Sequence, residues 1–151
     1  MAAPERILVA IDFSATSRSA LDWALTYAAR GLAEIYLLHV FDPPPPLIPV
    51  EAELNRKVGE GLAEMETGVL EELQKLFKDR AGQSMPANIH RRFAAGNPAV
   101  EILRAAEDLH IDLLVMGHRG RSALERFLVG SVTERVLRRA PCTVVVVQPH
   151  A

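Results

Sequence analysis

Gly117, Gly120 and Gly130 take three of the chain's nine glycines into one short stretch, and Ser131 follows the last of them directly. Glycine adopts positive φ without steric cost, so Gly117 and Gly120 could turn successive backbone N–H groups toward one point as a nest for an anion. Ser131-Val132-Thr133-Glu134 has the spacing of a capping box, which marks a helix start. A helix N-terminus carries unpaired N–H donors and roughly half a unit of positive charge. A phosphate group would satisfy those donors, with the Ser131 and Thr133 hydroxyls adding bonds. On spacing alone a second reading stands beside this one, in which the glycines are turns, Ser131 is only a cap and nothing binds.

The charges around the motif favour an anion. Between Gly117 and Arg139 there are six arginines against Glu125 and Glu134, in a chain whose formal net charge is -2. Arg119 and Arg121 are the candidate phosphate contacts. Arg138 and Arg139 need no ligand, because cations near a helix C-terminus are favourable anyway. His118 reads as a solvent-facing loop histidine. Asp12, closing the apolar run Ile7 to Ile11, reads first as a cap for a helix beginning near Ser14. Its second reading is an acceptor for a ligand's ribose or base.

The elements that must hold these residues alternate. Ile7–Ile11, Ile35–Val40, Ile111–Met116 and Thr143–Val147 are short apolar runs rich in β-branched residues, hence buried strands. Asn88–Phe93 is a less apolar strand suited to an edge. Ser14–Arg30 has helical spacing, with Ala20, Trp23, Ala24, Tyr27 and Ala28 on one stripe and Gly31 as a stop. Asn97 and Pro98 are a good N-cap and first helical residue, and Val100, Leu103, Ala106 and Leu109 make the following helix's buried stripe. Prolines 43–46 and Pro49 make Asp42–Val50 an extended loop. Glu51–Asp79 is an amphipathic helical pattern weakened by Gly59, Gly61 and Gly68 at about 1 kcal/mol each. Five strands alternating with helices predict an α/β sandwich on a mainly parallel sheet. In such sheets ligands bind beyond the strands' carboxyl ends, where Asp12 and Gly117 both fall.

Several classes are excluded or unsupported. With 151 residues and 49% hydrophobic content the chain, 1–151, is expected to form a single domain. A pI near 6.2 argues against a nucleic-acid partner, and no apolar run is long enough to span a membrane. Cys142 stands alone, which removes a disulfide framework, and reads as a core residue opening a buried strand. The compartment expected is the cytoplasm. There is no P-loop motif, no G-x-G-x-x-G after the first strand and no G-x-S-x-G elbow. No catalytic residues and no metal ligands can be assembled from spacing.

The pattern Gly117-x-x-Gly120, nine residues, Gly130-Ser131 after "LLVMG", together with "ILVAIDFS", "LLHVFDP", "GNPAVEIL" and "PCTVVVVQP", resembles the universal stress protein family over essentially the whole chain. The glycine-serine spacing is that of the family's ATP-binding branch. The resemblance implies a Rossmann-like three-layer α/β domain with a five-stranded parallel sheet in the order 3-2-1-4-5. It implies that Asp12 contacts adenosine and that Ala10 and Val40 line the base pocket. Met116, Gly117 and Gly120 would border the ribose and phosphates, and Gly130, Ser131 and Val132 would hold the phosphates. The implied ligand is ATP, or ADP or AMP, with a magnesium or manganese ion beside the phosphates. A homodimer through Thr143–Val147 is implied as well, and an open Val-rich edge would otherwise be an aggregation hazard. The function expected is that of an ATP-binding regulatory protein of the stress response. The alternatives are slow ATP hydrolysis or nucleotidyl transfer on the same fold, and a structural dimer with no nucleotide.

Overall fold

The computed structural model describes residues 6–31, 33–41, 64, 67–79, 88–119 and 129–149. They fall into two compact units, one drawn from Met1–Asp42 with Asn88–Ala151 and the other from Pro43–Ala87. In the first unit the order is β1 (Arg6–Ala10), α1 (Ala15–Ala28), β2 (Glu34–Phe41), β3 (Ile89–Ala95), α3 (Pro98–Asp108), β4 (Leu113–Gly117), α4 (Ser131–Arg139) and β5 (Thr143–Val147). The second unit contributes α2, a helix over residues 67–79 with Val69, Leu73 and Phe77 buried at four-residue steps. The expected loop 42–50 and the first part of the 51–79 helix lie outside the described residues.

All five strands pair in parallel, in the order β3-β2-β1-β4-β5. Central β1 and β4 are covered on both faces, which explains their unbroken apolar runs: Ile7, Leu8, Val9, Leu114 and Val115 are fully buried. Successive side chains alternate between faces. Leu8, Tyr36, Leu38, Leu114 and Met116 pack with Ala99, Ile102 and Ala106 of α3 and Val136 of α4. On the other face α1 lies against β1, β4 and β5. The result is a three-layer, Rossmann-like α/β sandwich, and its strand order is the one expected.

Helix α1 starts where Ser14, in extended conformation, accepts from Ser17 N. Its buried face differs from the expected stripe and is made of Thr16, Ser17, Ala20, Leu21, Ala24 and Ala28. Trp23 and Tyr27 sit half-exposed beside it and stack on each other with centroids 5.1 Å apart. Small side chains there let the helix axis approach the sheet. Helix α3 opens as expected, with Asn97 Oδ1 accepting from Val100 N and Pro98 at its first position. Its buried residues are Ala99, Ile102 and Ala106, while Val100 is exposed, so the stripe is rotated one position from the expected one. Edge strand β5 is also less buried than expected: Thr143 is exposed and Val144–Val147 are half-buried, because among the described residues no further strand covers its outer edge. Cys142, just before it, is half-buried against the core, and burial pushes its thiol above the ordinary range. It is a packing residue and a poor nucleophile.

Candidate functional site

Because β1 and β4 are central neighbours, their carboxyl ends open into one crevice. A cavity of about 540 Å³ lies there, within the ~300–1,000 Å³ usual for small-molecule sites. Ala10, Ile11 and Asp12 come to it from the end of β1, Leu38 and Val40 from β2, and Met116 and Gly117 from β4. Asn97, Pro98, Ala99 and Ile102 come from the start of α3, and Gly130 to Thr133 with Arg135 from α4. One end is closed and apolar, since Leu38, Ala99, Ile102 and Met116 are all nearly inaccessible. The other end opens at exposed Ser131 and Arg135.

The open end is built to meet an anion. Gly130 is the N-cap of α4, in extended conformation at φ -61, and supplies no side-chain cap. The expected capping box is therefore not formed. Ser131 is the first helical residue rather than the cap; the Gly130 N–H is taken by His118 O, and the first N–H groups of the helix that follow it receive no side-chain cap. Glu134 is drawn instead to Arg138, at 2.6 Å. Thr133 Oγ1 donates to Gly117 O at 2.8 Å, so the hydroxyl's one proton is already engaged between α4 and β4.

Gly117 is a glycine for a different reason from the one expected. Among the described residues the only glycine at positive φ is Gly96. Gly117 ends β4 with Thr16 of α1 pressed against its α-carbon, where a Cβ would come within 2.8 Å of the Thr16 backbone. Close approach, not a left-handed turn, excludes a side chain there. Gly120 and Arg121 lie outside the described residues.

Asp12 is half-buried and faces both α1 and the cavity. Its Oδ1 accepts from Ser14 N at 2.9 Å and from Ser14 Oγ at 2.5 Å. The helix cap is thus Ser14, not Asp12 as first read; Asp12 orients the cap. Between them Phe13 holds a left-handed backbone at φ 65, an uncommon state for a bulky residue. Its buried ring packs beside His39, whose Nδ1 donates to Ile11 O at 2.7 Å. Thr16 Oγ1 bonds Arg119 O, tying the loop after β4 to α1.

His118 is not the solvent-facing residue expected. It is 5% exposed, and among the described residues its Nδ1 has no hydrogen-bond partner. Its backbone explains the burial: His118 N donates to Val147 O and His118 O accepts from Gly130 N. That pair of bonds pins the residue between the end of β5 and the start of α4.

Ala10, Asp12, Val40, Met116, Gly117, Arg119, Gly130, Ser131, Val132 and Thr133, named from sequence, all line this one cavity. Asn97, Pro98, Ala99, Ile102, Leu38, Ile11, Ser17 and Arg135 line it without having been named. The Asn97-Pro98 helix start was a signal for the first of these, since helix starts in such sheets face the strands' carboxyl ends.

The universal stress protein family model matches residues 4–148. A universal stress protein of Methanocaldococcus jannaschii is 34% identical over 145 residues, covering 95% of this chain and 82% of that protein. Universal stress protein UspA from Lactobacillus plantarum superposes with a TM-score of 0.74 at 27% identity, over 95% of this chain and 97% of that one. A universal stress protein solved in complex with cAMP gives a TM-score of 0.67 at 25% identity, over 97% of this chain and 98% of that one. The fold, the strand order and these matches make the chain a member of the universal stress protein family.

Proposed function

We propose that the protein binds an adenine nucleotide, ATP or its ADP or AMP forms, and acts as a nucleotide-responsive regulator of the stress response. The observation that carries this reading is the uncapped N-terminus of α4 at the open end of a cavity whose other end is apolar. A ligand with a flat, weakly polar base and an anionic tail matches both ends. Ala10, Val40 and Met116 would contact the base and ribose, and Asp12 would accept from adenosine. Ser131 and Val132 would donate backbone N–H groups to phosphate, with Gly130 bordering it without a side chain and Arg119 beside them. The family relative bound to cAMP supports a purine nucleotide as the ligand class.

Among the described residues no group of three or more His, Cys, Asp or Glu side chains is placed to hold a metal ion. A magnesium or manganese ion would therefore be held by the phosphates and water, arriving with the nucleotide. The open outer edge of β5 would pair with a second copy, forming a homodimer through Thr143–Val147.

The test is to denature freshly purified protein prepared without added nucleotide and identify what it releases by chromatography and mass spectrometry. A near-stoichiometric adenine nucleotide is expected. Nothing released, followed by no binding when ATP and magnesium are titrated in, would sink the reading. Product accumulating linearly above a no-protein control would instead favour the enzymatic alternative.

A further inference from the structure

Arg135 belongs to the cavity wall, yet neither the motif nor the fold gives it a task. It lies one helical turn after Ser131, about 6 Å further along the axis. Side chains on a helix lean toward its N-terminus, so the patch covered by Arg135 lies back over the turn that begins at Ser131. That is the turn whose N–H groups are uncapped. Arg138 on the same helix has an acid, Glu134, at 2.6 Å; Arg135 has no acidic partner within 4.0 Å among the described residues. A guanidinium near a helix N-terminus sits in an unfavourable field unless an anion joins it.

We propose that Arg135 binds the terminal phosphate of a nucleoside di- or triphosphate and so sets which phosphate state the cavity prefers. This inference rests on the nucleotide reading above. A base seated at the closed end, between Leu38, Ile102 and Met116, sends its phosphates toward exposed Ser131 and Arg135. The first phosphate meets the N–H groups of α4. Only a longer chain extends past them to the guanidinium, whose planar fork matches two phosphate oxygens at once. A monophosphate or a cyclic phosphate stops short.

The experiment is calorimetric titration of ATP, ADP, AMP and cAMP, at one ionic strength with magnesium, into wild type, Arg135→Gln and Arg138→Gln. Arg135→Gln is expected to weaken ATP roughly three- to tenfold, a charge-assisted contact discounted for its exposure. AMP and cAMP affinities should stay within about twofold, the scatter expected for an exposed substitution far from the ligand. Arg138→Gln should leave the whole ranking as in wild type. If wild type binds nucleotide but Arg135→Gln keeps its ATP-to-AMP ratio, the proposal is overturned and the nucleotide reading stands. Wild type binding none of the four overturns both. Thermal melts of each variant by circular dichroism confirm that folding is retained.

Discussion

A Cβ built on Gly117 would lie 2.5 Å from Thr16 Oγ1, 2.7 Å from Thr16 Cβ and 2.8 Å from Thr16 C. Trimming the Thr16 side chain would not relieve the last of these, because it is backbone. Gly117→Ala should therefore destabilise the protein by about 1–3 kcal/mol, the usual cost of overpacking a filled site. Urea unfolding measures it, and an unchanged midpoint would show that α1 can give way. Sequence marked this glycine correctly and misassigned its cause, since a packing partner a hundred residues away leaves no local trace. Asp12 has the opposite character: it supports the Ser14 cap and also lines the cavity, where the ligand-acceptor reading would place it. Its carboxylate orients Ser14, and the same group faces the cavity. Asp12→Ala should weaken ATP by about 1–3 kcal/mol, roughly five- to 150-fold, if the carboxylate accepts from the ligand. Asp12→Asn keeps an acceptor for Ser14, so its melting temperature should match wild type while ATP binding still falls. Unchanged affinity in the alanine variant would leave Asp12 with only its work on α1.

Helices and strands differ in how far their sequences reveal them. Buried β1 and β4 were legible because strands covered on both faces are continuous apolar runs. The start of α3 was legible because Asn97 and Pro98 act locally, through one side-chain acceptor and one fixed φ. The start of α4 was displaced by one residue, because Ser-x-x-Glu describes a capping box and equally a helix whose first residue is serine. What fixes α4 is a long-range bond that no spacing rule reads: buried Thr133 Oγ1 donates to Gly117 O, the last carbonyl of β4. Thr133→Val would leave that carbonyl buried and unpaired, at a cost of about 1–3 kcal/mol. Thr133→Ser keeps the donor and should recover most of the loss. The pair separates the hydroxyl from the methyl, and equal losses in both would point to packing rather than the bond. Since this bond spaces the uncapped N–H groups from β4, ATP affinity should fall with stability in the valine variant and recover with it in the serine variant.

At the scale of the whole molecule the two sheet edges are unlike. β3 carries exposed Arg91 and Arg92, charges that discourage pairing with another chain, whereas β5 is valine from 144 to 147 and only half-buried. A sequence can announce such an edge, since five β-forming residues stand in a row, but not which of its backbone groups are open. The ladder decides that. His118 N donates to Val147 O, so the Val147 backbone points toward β4. Peptide groups alternate along a strand, which turns those of Val146 and Val144 outward. Proline at 146 therefore removes an outward donor while leaving the β4–β5 bonds in place. If two copies join through this edge, Val146→Pro should shift the protein from dimer to monomer in light scattering coupled to size exclusion. Its far-ultraviolet circular dichroism should stay that of the folded chain. An unaltered dimer would move the interface elsewhere. His118 gives the same experiment a second readout, because its backbone joins the end of β5 to Gly130 at the cavity mouth. A loosened β5 end would be transmitted through those two bonds to α4, so the monomeric variant is expected to bind ATP more weakly than the dimer.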